Sequence, residues 1–314
     1  MCGLGPWNFN FELAANRILR VKMMIKSKEK IGIVADEGSD LPPALIEKHK
    51  ISLVPFKIEL GKLAQFPGNI YQKIREAEKR KLKIFAKTSQ PSPGDFLKVF
   101  REKLKDFERI ICITITSKHS GTFNSATQAK NFLKEKEKVY VVDSLSGSSG
   151  EGLIILKAAE LIEKSLKVEE ILKRLKEAIS KTHLIFMVEH PKWLASSGRI
   201  SNFLASWLEK MQKIGIRPLL GTKEGKIKPI GIKRGVKDVA TALFKEFKEK
   251  ISKFKEEKIK VAITHADNLE EAEKLREMIR VIRNCEIIFS NLLGNVLGSL
   301  AGPGTLTLAW QEPC

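Results

Sequence analysis

The stretch RIICITITSKHSGTFNSATQAKNFLKEKEKVYVVDSLSGSSGEGLIILKAAELIEK (109–164) decides the fold. It opens with a short β-branched run (109–116), passes through a serine-rich turn into an amphipathic segment (121–134), and repeats the order with VYVVD (139–143) and a second helical segment (150–164). Strand, turn and helix in strict alternation predict a parallel sheet, because a crossover helix returns the chain to start the next strand in the same direction. Helices are then expected on both faces of that sheet.

Working outward toward the N-terminus, IGIVAD (31–36), a helix over 41–48, ISLVPFKIEL (51–60) and helices near 69–81 and 93–104 complete an α/β domain assigned to 30–175. Toward the C-terminus, THLIFMVE (182–189) reads as a strand and IRPLLGTKEGKIKPIGIKRG (216–235) as a hairpin turning at Lys223, Glu224 and Gly225. A helix over 236–254, strands at 258–264 and 285–290, a helix over 269–282 and a glycine-rich segment ending in TLTLAW follow. Residues 176–314 are therefore expected to form an α+β domain with a mixed sheet. Residues 1–29 do not share the pattern, and Met23 and Met24 precede its start, so a poorly ordered or added N-terminal arm is expected there.

Charge narrows the partners without choosing one. The formal net charge is +19 over 314 residues, which brings nucleic acid, a membrane surface or an acidic protein into consideration. Runs such as KEKEK (134–138) and KEFKEKISKFKEEKIK (245–260) alternate sign at helical spacing, as solvated helix faces do. Cys2, Cys112, Cys285 and Cys314 are widely separated, with no C-x-x-C pair, so neither a zinc site nor a disulfide framework is suggested and a cytoplasmic setting fits. Cys112, inside RIICITIT, reads as a buried small hydrophobe. No stretch has the roughly 18 to 20 consecutive apolar residues of a membrane span.

Three loops beyond predicted strands are rich in hydroxyls, and in open α/β sheets ligands bind beyond the carboxyl ends of strands. In TSQPSPGDF (88–96), Ser92 before Pro93 forms a good helix cap, which leaves Thr88 and Ser89 unexplained. In TSKHSGTFNSA (116–126), the hydroxyls of Ser120 and Thr122 and free N–H groups could converge on an anion, although the same turn also serves as a plain helix start. DSLSGSSGEG (143–152) sits at a third strand-to-helix turn. Its glycines do not fit G-x-G-x-x-G, and no G-x-x-x-x-G-K-[ST] occurs, so nucleotide binding is not supported and no cofactor is expected. His49, His119, His183 and His190 share no short spacing with acids or cysteines, so no metal is expected either.

Taken together, these motifs resemble the DegV family from Lys30 to Trp310. The likeness rests on DEGSDLPP (36–43), KTSQPSPGDF (87–96), SGTFNSA (120–126), VVDSLSGSSGEG (141–152), SSGRIS (196–201), the hairpin with IRPLL (216–220) and GPGTLTLAW (302–310). The resemblance implies a two-domain fold that holds a long-chain fatty acid between the domains, and a carrier role in which a fatty acid kinase catalytic subunit phosphorylates the carboxyl group. It also implies that Thr88, Ser89, Ser120, Gly121 and His265 bind the carboxylate and that Arg199 faces the partner. Two departures stand out: Ser197–Gly198 replaces a pair of glycines before Arg199, and Glu37 replaces a serine after Asp36. The expected walls of an apolar tunnel are 152–162, 203–208 and 213–220, each of which could equally be ordinary core.

The resemblance thus favours a non-catalytic lipid carrier, expected to be a monomer, with transient contact to a membrane surface. A stand-alone acyl hydrolase is the first rival, but no G-x-S-x-G elbow and no aspartate partner for His265 is visible. A nucleic-acid-binding regulator is the second, and neither a helix-turn-helix nor a basic stripe with interleaved aromatics supports it.

Overall fold

The computed structural model describes residues 29–254 and 256–313, so the expected N-terminal arm lies outside the described residues except for Glu29. The first sheet has the order β2-β1-β5-β6 and is parallel throughout, built from β1 (Ile31–Asp36), β2 (Ser52–Val54), β5 (Arg109–Thr114) and β6 (Val139–Asp143). The second has six strands in the order β11-β10-β12-β7-β8-β9: β7 (Thr182–Met187), β8 (Arg217–Lys223), β9 (Lys226–Lys233), β10 (Ile259–His265), β11 (Cys285–Leu292) and β12 (Leu306–Gln311). Only β10 and β11 pair in parallel there, so the sheet is mixed. At the β8–β9 turn both Glu224 and Gly225 have positive φ, the geometry a tight two-residue hairpin requires.

Helix α5 (Ser148–Glu163) lies between the two sheets. Its sequence GLIILKAAELI is apolar on nearly every side, and such a helix is stable only when it is covered all round. Leu153, Ile154, Ile155, Ala158 and Leu161 share one core with Ile33, Ile111 and Ile113 of the first sheet and Leu184, Phe186, Ala262 and Ala309 of the second. Each fully buried Leu or Ile there stabilises the fold by about 2 kcal/mol before ordering costs. On the far side of the first sheet, α3 (Pro93–Lys103) and α4 (Thr122–Asn131) bring Phe96, Phe100, Ala126 and Ala129 against Val34, Ile110 and Cys112. On the far side of the second, α9 (Val239–Ile251) and α10 (Leu269–Arg280) cover Ile185, Met187, Val261, Ile263 and Leu308. The alternation along β7, with Leu184 and Phe186 toward α5 and Ile185 and Met187 away from it, is that of a strand buried on both faces.

Several local expectations are corrected. The run 51–60, expected as one strand, breaks at Pro55, which has no N–H to give a ladder. After it β3 (Lys57–Glu59) leaves the sheet and pairs antiparallel with β4 (Lys87–Ser89). A helix missing from the sequence reading, α6 (Val168–Ser180), buries Val168, Ile171, Leu175 and Ala178 in the same core as α5, and a division between 175 and 176 would cut it. The glycine-rich segment before TLTLAW contains α11 (Asn295–Ala301). The cap expected at Ser92 is present: its hydroxyl oxygen accepts from the Asp95 N–H while the Asp95 carboxylate accepts from the Ser92 N–H.

Helix α11 packs on α2 (Ile70–Lys79) through a glycine. A Cβ on Gly298 would lie 2.1 Å from the Tyr71 hydroxyl oxygen, and that hydroxyl, buried against α11, donates to the Leu293 carbonyl at 2.5 Å. Gly298→Ala is therefore expected to cost roughly 1–3 kcal/mol through overpacking and loss of this bond. Urea denaturation would measure it, and an unchanged midpoint would refute the close contact.

Candidate functional site

A cavity of about 120 Å³ lies where the two sheets meet beyond the end of β5. Its apolar wall comes from Ile115, Leu184, Phe186, Leu194 and the α11 side chains Val296, Leu297 and Leu300. None of the three stretches expected as walls supplies a lining residue. Segment 152–162 is consumed by the shared core, where covering it on all sides leaves no face for a ligand, and 203–208 and 213–220 pack on or within the second sheet.

At one part of the cavity three polar side chains converge: His119, Ser120 and Arg199. The Ser120 hydroxyl lies 2.7 Å from Thr122 Oγ1, and its oxygen accepts from the Thr122 N–H at 3.3 Å, the turn that starts α4. His119 is fixed by the other domain, because the Ile227 N–H of β9 donates to His119 Nε2 at 2.8 Å. Only an imidazole whose proton sits on Nδ1 can accept there, so Nδ1 is left as a donor. Burial, followed by the nearby charges of Arg199 and Lys226, holds the His119 pKa below its ordinary value and keeps the ring neutral at pH 7. The hairpin tip is clasped a second time where Thr116 Oγ1 donates to the Gly225 carbonyl at 2.9 Å.

Arg199 is half-buried, and burial lowers its pKa from the ordinary guanidinium value. Its Nη1 donates to the Ser197 carbonyl at 3.0 Å, and among the described residues no carboxylate pairs with it. A guanidinium in a largely apolar wall without a counter-charge carries an uncompensated desolvation cost, which an anion beside it would offset.

Behind the wall lie carboxyls. Asp36 accepts from the N–H groups of Gly38 and Ile115, each at 2.8 Å, and Asp40 accepts from the Gly294 N–H at 2.8 Å. Both pin segments that carry cavity-lining residues. Burial pushes each of them up to about 7. Glu151, fully buried in α5, has no hydrogen-bond partner on either oxygen, and burial, then Asp36, Asp40 and Asp143, raises its pKa well above the carboxylate range.

Of the residues singled out in the sequence, Ser120 and Arg199 line the cavity, and Gly121 follows Ser120 at the start of α4. Thr88 and Ser89 lie in β4 and are not among the lining residues; the next residue, Gln90, reaches across Gly121 and donates to Ser125 Oγ at 3.1 Å, which brings that strand beside the SGT turn. His265 ends β10 outside the lining, its Nδ1 accepting from the Asn268 N–H at 3.2 Å. His119 was set aside in sequence, since its partner Ile227 lies 108 residues away and no spacing signals it.

A model of uncharacterised proteins of the DegV family matches residues 30–312. This chain belongs to the DegV family. The DegV chain is 32% identical over 293 residues to a fatty acid-binding protein of Thermotoga maritima, covering 88% of this chain and 96% of that one. A solved structure concerned with fatty acid binding of a DegV family protein from Thermus thermophilus superposes with a TM-score of 0.76 at 28% identity, covering 90% of this chain and 99% of that one. A DegV family protein from Eubacterium eligens loaded with heptadecanoic acid gives a TM-score of 0.73 at 25% identity, covering 90% and 100%. The two-domain α/β architecture of this DegV protein is thus shared along almost its whole described length. Among the described residues no helix is long and apolar enough to cross a membrane.

Proposed function

We propose that this protein binds one long-chain fatty acid in the cavity between the sheets, with its carboxylate at His119, Ser120 and Arg199, and presents that carboxylate to a partner kinase for acyl-phosphate formation. The observation that carries the reading is an apolar cavity ending at a guanidinium without a counter-charge. A carboxylate there would accept from Arg199, the Ser120 hydroxyl and His119 Nδ1, which offsets its lost hydration. Each buried methylene adds about 0.8 kcal/mol. The fatty-acid-binding relatives support this reading by likeness. An engineered apolar cavity of about 150 Å³ takes ligands the size of benzene or xenon, so a full acyl chain enters this cavity as its walls part.

The carrier reading is favoured over an acyl hydrolase by the hydrogen bonding. His119 Nε2 is occupied by the Ile227 N–H and Nδ1 carries the ring proton, so the imidazole has no free lone pair with which to act as base for Ser120. Thr88, Ser89, Gly121 and His265 belong to the same proposal as groups that approach the head group when the walls part. Arg199, half-exposed, offers the same guanidinium to a docking kinase. A monomer meeting an anionic lipid surface fits the lysine excess and Phe203, which is 83% exposed at the start of α8 (Asn202–Lys213).

Native mass spectrometry of the purified protein is expected to show one long-chain acid per chain, released on denaturation. Arg199→Ala is expected to weaken fatty acid binding about tenfold, the worth of one charge-assisted hydrogen bond, and to slow ATP-dependent acyl-phosphate formation by an added kinase subunit. Undiminished affinity in the variant would move the carboxylate elsewhere, and a protein that is empty and rejects added acids would end the reading.

A further inference from the structure

The serine-rich turn 143–149, which the proposed head-group site does not use, also reaches the cavity: Ser146, Gly147 and Ser148 line it together with Thr305 and Thr307. Two independent features coincide there. The first is the N-terminus of α5, a helix of 16 residues whose N-cap, Gly147, offers no side chain to its first turn. The leading N–H groups of a helix have no partner within it, and they carry the positive end of its dipole. The second is the Ser146 hydroxyl, which lies over that first turn within 2.2 Å of where a Cβ on Gly150 would stand. Ser146 is 3% exposed, and its Oγ has no hydrogen-bond partner in the protein. A buried hydroxyl left without a partner is costly, and such groups are normally satisfied.

The neighbouring hydroxyls do not satisfy it, because they satisfy one another. Ser148 Oγ lies 2.7 Å from Thr264 Oγ1, Thr264 Oγ1 2.7 Å from Thr307 Oγ1, and Thr307 Oγ1 2.9 Å from Ser149 Oγ. This chain ties α5 to β10 and β12 and holds Ser148 and Thr307 rigidly in the cavity wall. What remains without a partner just behind the cavity wall is a donor cluster, the buried Ser146 Oγ–H and the head of α5.

We propose that this cluster is a second polar subsite, which receives an oxygen atom borne on the carbon chain of the ligand, so that the preferred ligand is a hydroxy- or oxo-substituted long-chain monocarboxylic acid. The inference rests on the fatty-acid reading of the cavity. A plain alkyl chain would bury the Ser146 hydroxyl without an acceptor, whereas a chain oxygen at the right carbon pairs with it and with the α5 N–H groups. Recognition is therefore by position along the chain, since the subsite and Arg199 stand at separate places in the cavity lining.

The test is competition binding, read by native mass spectrometry on the full chain, between stearic acid and monohydroxystearic acids with the hydroxyl walked along the chain. One regioisomer is expected to bind about tenfold tighter than stearic acid, the worth of one buried hydrogen bond, and Ser146→Ala is expected to bring that ratio to about threefold or less. If stearic acid binds and no hydroxylated isomer is preferred, the subsite is refuted while the fatty-acid reading stands. A preference that survives Ser146→Ala overturns the assignment to this turn. If no long-chain acid binds, the fatty-acid reading itself fails.

Discussion

Tryptophan in place of Ala301 is expected to lower fatty acid affinity at least a hundredfold while the protein stays folded. Ala301 is the last residue of α11 and lines the cavity together with the β7 side chains Leu184 and Phe186. It is half-exposed, so an indole at this position can be accommodated without opening the core. With only about 120 Å³ available, the ring competes for the volume an acyl chain needs. Excluding four methylenes removes about 3 kcal/mol at about 0.8 kcal/mol each, which corresponds to more than a hundredfold in affinity. Titration calorimetry with a long-chain acid, alongside a thermal melt, checks both halves. Parental affinity in a folded variant would show that the chain lies elsewhere.

The second large effect concerns stability and pH. Asp36 and Asp40 are raised from 3.8 to about 7 on folding, mainly by burial. A raised pKa means that the folded state binds the proton more tightly than the unfolded state. The associated stability is complete below pH of about 4 and is lost as pH rises toward 7, at about 4 kcal/mol for a shift of this size. Burial likewise holds Glu151 well above its ordinary value, and its charge has no donor to meet it, so its stability too is lost as pH rises above the ordinary carboxylate range. Glu151→Gln, which keeps the shape and cannot ionise, is expected to match the parent near pH 5 and to melt higher than the parent at pH 9. Thermal melts across that range decide the matter. A variant that melts lower than the parent at pH 9 would mean that ionised Glu151 is stabilised by a partner.

The legible parts of this protein are those in which one residue type at one spacing has one physical outcome. The runs RIICIT and VYVVD, the amphipathic segments between them, the Ser92–Pro93 cap and the Glu224–Gly225 turn report the alternation of strand and helix directly, because periodicity and turn chemistry act over a few residues. ISLVPFKIEL misleads because its apolar pattern outruns Pro55, where the ladder must end. Helix α6 is masked in the sequence because lysine and glutamate crowd its exposed face, although its buried positions follow helical spacing.

The site is divided along the same line. The hydroxyl-rich turn of Ser120 is a local feature that the sequence by itself determined as a candidate, whereas Arg199 entered through the family resemblance, as a partner-facing residue. The tertiary structure alone decided that they share a cavity, that Ile227 sets the tautomer of His119 from the other domain, that the apolar run of α5 is core and not tunnel, and that Ser146 and Glu151 are buried without partners. The reason is that these properties belong to contacts between residues far apart in the chain, and no pattern of neighbours along the sequence encodes which faces two sheets will turn toward the helix between them.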